Sequence, residues 1–127
     1  PIWIGGSGKP ALRRVAERGD GWIPQGTPRK QMRDDIAYVL EHREKARPGV
    51  PIDFGFICEY VYVGEPSWEF PDYTVSGSVQ RIVDKLNARG EIGINHLQIR
   101  LRARDIDEMC DLIDASLHAA LNRVRGK

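Results

Sequence analysis

Four short apolar, β-branched stretches alternate with four helical patterns along this chain, and nothing else in it constrains the fold as strongly. The strand-like stretches are Ile2–Ile4, Gly21–Pro24, Ile52–Val63 and Ile94–Leu101. Strict alternation of this kind argues for parallel strands joined by crossover helices. Four units share 127 residues, about 30 residues each, which is the rhythm of a (β/α)8 barrel of roughly 250 residues. The expectation is an α/β chain with the length of half a TIM barrel: four parallel strands alternating with helices in a single domain over residues 1–127. A small doubly wound sheet is the alternative.

The helical segments carry their own signals. Leu12, Val15 and Ala16 share one face of a helix that opens near Lys9-Pro10 and stops at Gly19, with Ser7 placed to cap it. A second helix follows Thr27-Pro28 and runs to about Arg47, with Met32, Ile36, Val39 and Leu40 as its apolar stripe. Ser78 caps the third, whose apolar face is Val79, Ile82, Val83 and Leu86. Asp105 opens the fourth, with Ile106, Met109, Cys110, Ile113 and Leu117 turned to the core, and the polar tail Asn122–Lys127 frays. Gly64–Gly77 reads as a loop with two prolines and the aromatics Trp68, Phe70 and Tyr73. Gly55 inside the long strand marks a bulge or a close approach.

Charge and cysteines narrow the setting. The formal net charge is +1, which supplies no general attraction to nucleic acid or an anionic membrane. No apolar run approaches the roughly 20 residues of a membrane helix. Cys58 and Cys110 lie in apolar-patterned segments and read as buried free thiols of a reducing, cytoplasmic compartment. Two cysteines and three scattered histidines offer no zinc spacing.

Parallel α/β architectures place ligands at the C-terminal ends of their strands. The first such end, Gly5-Gly6-Ser7-Gly8, precedes a helix N-terminus, where glycines admit a close ligand and backbone N–H groups favour an anion. A phosphate fits this pattern, with the Ser7 hydroxyl and Lys9 assisting; a plain tight turn is the structural alternative. Trp22 walls a flat ligand or fills a core layer. Arg100 and Arg102 share a face of the last strand, suited to an anion or to surface pairing. His96 reads as scaffold, and Glu59 as a site group only if it points inward. No Ser-His-Asp order, paired-carboxylate signature or nucleophile elbow is present.

The stretch "PIWIGGSGKPALRRVAERGDGWIP" resembles the middle part of the luciferase-like monooxygenases: an apolar strand ending Gly-Gly-Ser/Asn, a helix with Leu-Arg-Arg, then Gly-Asp-Gly-Trp. Further on, Gly77-Ser78 opening a helix and "GINHLQIRLRARDIDEMCD" are similar to members that use the deazaflavin coenzyme F-420. The resemblance implies a (β/α)8 barrel, FMN or coenzyme F-420 as cofactor, and redox chemistry on a small organic substrate. It carries cofactor contact onto Gly5, Gly6 and Ser7 and by extension onto Gly8, with Trp22 ending a strand that faces the same mouth; Arg100, from its place on the last strand, is the further candidate for the cofactor pocket. It names no catalytic acid or base. The family needs about twice this length, eight βα units rather than four. The chain is therefore expected to be either the C-terminal part of a longer oxidoreductase or a half-barrel that binds flavin without catalysis and serves as an interaction module. Two bare sheet edges would favour a homo-oligomer or a domain-swapped dimer. A small sugar-phosphate enzyme on a doubly wound sheet is a third reading.

Overall fold

The structure, a computed structural model, describes residues 1–125, without the side chains of Leu117 and residues 119–125. Its elements run β1 (Trp3–Gly5), α1 (Lys9–Arg18), β2 (Gly21–Ile23), α2 (Arg29–Ala46), β3 (Asp53–Val63), β4 (Thr74–Gly77), α3 (Val79–Asn87), β5 (His96–Leu101) and α4 (Ile106–Arg125). A 3-10 turn, Gly90–Ile92, leads into β5. The strands pair in the order β1-β2-β3-β4, with β5 also on β3. All three registered pairings are parallel. The architecture is thus α/β, with parallel strands alternating with helices, consistent with a partial barrel. The chain folds as two compact units: residues 1–57 with 88–98, and residues 58–87 with 99 onward.

In the first unit, β1, β2 and the start of β3 align Trp3 with Gly21 and Gly21 with Asp53. Alternation then sends Trp22 and Phe54 toward the helices and Trp3 to the other face. The helix side is the core: Leu12, Val15 and Ala16 of α1 meet Met32, Ile36 and Val39 of α2 over Trp22, Phe54 and Ile94. Each of the Val, Leu, Ile, Met and Phe side chains contributes about 1.5–3 kcal/mol by leaving water. Leu40 is not among them; it is half-exposed, and the buried position one turn beyond Val39 belongs to Arg43. On the opposite face the Trp3 ring lies across two glycines. A Cβ on Gly21 would stand 2.5 Å from that ring and one on Gly55 2.9 Å, so the close approach anticipated at Gly55 is the Trp3 indole. Trp3 also meets the His96 ring edge-on at 5.1 Å. Asn95 ties the starts of β3 and β5 by accepting from the Phe54 amide and donating to Asp53.

In the second unit, Val61, Val75 and Ile82 form the core, flanked by Val63, Leu86 and Leu101. Here the anticipated four strands become five. Thr74–Gly77 is a strand, in register with Tyr60–Val63, where a loop was expected. The preceding prolines and aromatics mask it, but Val75 is buried and fixes the pairing. Ser78 accepts from the Arg81 amide and Asp105 from the Glu108 amide, so both anticipated caps form. The last helix packs differently from its apolar pattern. Ile106 is 80% exposed, Ile113 and Cys110 are exposed, and among the described side chains of this helix Leu112 is the buried one. Only Cys58 of the two thiols is buried. The cause is that α4 turns its Glu108–Leu112 side toward Tyr62, which its Glu108 carboxylate binds. Leu117 and the end of the tail lie outside the described side chains, and the helix backbone continues to Arg125.

Candidate functional site

The first unit gathers its strand ends into one place. β1 stops at Gly5, and the chain turns through Gly6 (φ 100°) and Gly8 (φ 88°) into α1. Both angles lie in the region that only glycine enters without strain. Gly8, not Ser7, is the N-cap of α1, and no side chain caps this helix. The expected Ser7 cap is lost because its hydroxyl turns away: it donates to the Gln25 carbonyl at 2.7 Å and lies 2.5 Å from the Thr27 hydroxyl. Ser7 thereby clips the turn after β1 to the loop after β2. The first intrahelical bond runs from the Leu12 amide to the Gly8 carbonyl. Pro10 has no N–H, so the amides of Lys9 and Ala11 have no acceptor within the helix. A Cβ on Gly8 would meet nothing within 4 Å. The N-terminus of α1 therefore faces open space with its donors uncapped, which is the arrangement that accepts an anion.

Trp22 stands behind this turn, not beside it. It is fully buried, edge-on to Phe54, and its Nε1–H donates to the Gly6 carbonyl at 2.9 Å. With no accessible surface it cannot wall a ligand, and its role as a lining residue is corrected to that of a support. The Lys9 ammonium sits 5.9 Å from the Tyr38 ring centre.

Beside the turn, the loop after β2 opens a groove of ≈ 520 Å³ lined by Pro24, Gln25, Gly26, Thr27, Phe56 and Ile57. The helix that follows, α2, also lacks a side-chain cap. Gln25 and Thr27 belong to the site through their bonds to Ser7, and Gln25 lies against Gly5, where a Cβ would stand 3.2 Å from its amide nitrogen. In the sequence they read only as the approach to a helix; their offset of one βα unit from Ser7 was the available signal.

Arg100 belongs to the second unit. Its Nε donates to the Cys58 carbonyl at 3.0 Å and its guanidinium covers the Tyr60 ring at 4.3 Å. Arg102 stacks on the same ring at 3.5 Å and binds Asp72. This unit has its own groove of ≈ 530 Å³, which Glu108 organises. The Glu108 carboxylate accepts from the Arg104 amide at 2.7 Å, the Tyr62 hydroxyl at 2.8 Å and the Trp68 indole at 3.3 Å. The Arg104 amide, ahead of the other donors, holds the Glu108 carboxyl below the usual carboxylate range. Donation to that carboxylate pushes the Tyr62 phenol up. Trp68 and Phe70 meet edge-on at 4.8 Å, so this aromatic pair pins its loop, while Tyr73 is exposed and bonds Lys85. His96 is scaffold, with Nδ1 3.0 Å from the Asn95 side-chain oxygen. Among the described residues no cluster of three His, Cys, Asp or Glu side chains could hold a metal, and no helix is long and apolar enough to cross a membrane.

Comparison with known proteins gives the family and the fold. The family model described as luciferase-like monooxygenase matches residues 1–70, which include the glycine turn, the Trp22 support and the groove. Among solved structures, one described as "F420-dependent secondary alcohol dehydrogenase in complex with an F420-acetone adduct" superposes with a TM-score of 0.62 at 13% identity. The match covers 91% of this chain and 48% of that one, so the chain spans about half the length of the structure it resembles. At that identity the likeness is one of fold. No curated protein sequence matches.

Proposed function

We propose, from the premise that this chain belongs to the luciferase-like monooxygenase family, that it supplies the phosphate-holding side of a flavin- or F-420-dependent oxidoreductase acting on a small organic substrate. The observation that carries this reading is the uncapped N-terminus of α1 behind two left-handed glycines, open to solvent at Gly8. The residues fit a phosphate-bearing cofactor. The Ser7, Gly8, Lys9 and Ala11 amides would hold the phosphate, and the groove beside Thr27 and Phe56 has a volume suited to an extended ligand. When bound, the cofactor would supply the hydride chemistry, and in the flavin case reaction with oxygen. The protein's part is to bind the phosphate, orient the ring system and exclude water. Coenzyme F-420 is favoured over FMN by the C-terminal stretch, Gly93 to Asp111. A reducing cytoplasm suits the two free thiols, one of them exposed. Self-association belongs to the same reading, because residues 96–99 of β5 are exposed and β5 pairs only with β3 among the described strands.

The test compares two substitutions at one position. Gly8→Ala and Gly8→Asp both accept the same left-handed strain, and both Cβ atoms enter open space. Only Asp adds a negative charge at the phosphate position. Titration with FMN and with F-420 is expected to show Gly8→Asp weakened at least tenfold relative to Gly8→Ala. Equal affinities would reject the site.

A further inference from the structure

We infer that Trp22 is a positioning residue that sets the polarity of the glycine turn, so that the turn offers N–H rather than C=O to an anion. The inference rests on the phosphate-holding reading of that turn. A trans peptide unit points its C=O and N–H in opposite directions. The indole N–H of the buried Trp22 holds the Gly6 carbonyl at 2.9 Å. The other end of the same peptide unit, the Ser7 N–H, therefore points away from the indole and the core. Without the indole donor this unit can flip. A flip changes ψ of Gly6, which glycine accepts, and carries φ of Ser7 from negative to positive, a strain the unit takes on only when the Gly6 carbonyl would otherwise stay in the core without a donor. The flipped unit would present a carbonyl oxygen to the phosphate, replacing attraction by repulsion.

The indole is suited to this because it does not move. Leu12, Met32, Val39 and Phe54 share its core cluster, and a donor locked by packing costs nothing to orient when ligand arrives. The Ser7 hydroxyl, held by the Gln25 carbonyl and Thr27, steadies the outer side of the same unit. One N–H in the core thus decides which pole of a surface peptide faces the ligand.

The experiment replaces Trp22 by 3-benzothienylalanine, which keeps the bicyclic shape and exchanges N–H for sulfur. Trp22→Phe is the genetically encoded companion. Binding is measured for FMN against riboflavin, and for F-420 against its phosphate-free deazaflavin chromophore, with urea unfolding alongside. The expected result is that the parent protein prefers the phosphate-bearing form and that the benzothienyl variant loses this preference by about tenfold, the effect of one charge-assisted hydrogen bond. Affinity for the phosphate-free form should hold. A loosened core would weaken both forms alike, and that outcome, or an unchanged preference with Gly8→Asp still weakened, would overturn the inference while leaving the site. A parent protein indifferent to the phosphate would overturn both.

Discussion

Arg43 is the side chain on which the first unit depends most, and its replacement tests the packing account. It is 3% exposed and binds four backbone carbonyls. Nη1 donates to Ala16 at 3.0 Å and Gly19 at 2.6 Å, Nε to Val50 at 3.1 Å, and Nη2 to Pro51 at 3.0 Å. The first acceptor lies in the last turn of α1 and the second is its C-cap residue, where the helix dipole favours a cation. The other two belong to the segment between α2 and β3. Burial pushes the guanidinium pKa down, yet an arginine stays charged inside a protein. Each bond to a charged donor is worth about 1.5–3 kcal/mol, but four bonds from one group do not add independently. Water would also reach some of the released carbonyls. The expected cost of Arg43→Met, which keeps the apolar stem, is therefore about 3–5 kcal/mol, since each buried carbonyl left without a donor costs about 1–3 kcal/mol and water restores some of them. With a urea m-value of about 2 kcal/mol per M, the midpoint falls by roughly 1.5–2.5 M. Arg43→Lys should lie between the two, because one ammonium cannot reach carbonyls spread around a planar fork. Urea unfolding followed by far-ultraviolet circular dichroism measures the shift. A loss under about 1 kcal/mol for Arg43→Met would refute the argument, since it would mean the four carbonyls do as well with water.

Acid should release the Trp68 loop. The Glu108 pKa is lowered in the folded state, so its contribution is present above the unfolded value and is lost as pH falls through the folded one, which lies below the ordinary glutamate value of about 4.3. The stability difference between the parent and Glu108→Gln should accordingly be present at neutral pH and vanish in acid; a pH-independent difference would contradict the network. Self-association through the exposed β5 should appear as a concentration-dependent mass in light scattering and be weakened by Ile99→Lys, whose site is 51% exposed. A single monomeric mass for both proteins at high micromolar concentration would remove that proposal.

Much of this architecture was readable because local and global signals coincide. Four of the strands and all four helices announce themselves by period and by the residues that end them, and the caps at Ser78 and Asp105 act within three residues of their targets. The misreadings share a cause: each depends on a partner distant in the chain. Ser7 has the chemistry of a cap, but partners 18 and 20 residues away, the Gln25 carbonyl and the Thr27 hydroxyl, hold its side chain instead. Arg43 continues the Met32, Ile36, Val39 stripe at helical spacing, yet a charged residue there reads as exposed until carbonyls from α1 and the following loop are known. On α4 the apolar stripe and the buried side differ, because Tyr62 and Trp68 draw the helix toward them through Glu108. That β1 breaks off in glycines directly before a helix N-terminus was legible from residue types alone. That Trp22 supports this turn from beneath was not, since a tryptophan's indole acceptor cannot be read from spacing.

The most direct measurement is a titration of ¹⁵N-labelled protein with FMN and with F-420, followed by amide chemical shifts. If the turn after β1 holds the cofactor phosphate, the largest shifts fall on the amides of Ser7, Gly8, Lys9 and Ala11, with the Trp22 indole N–H as a second reporter through its bond to Gly6. Shifts that bypass these residues, or appear equally with the phosphate-free forms, would contradict the account.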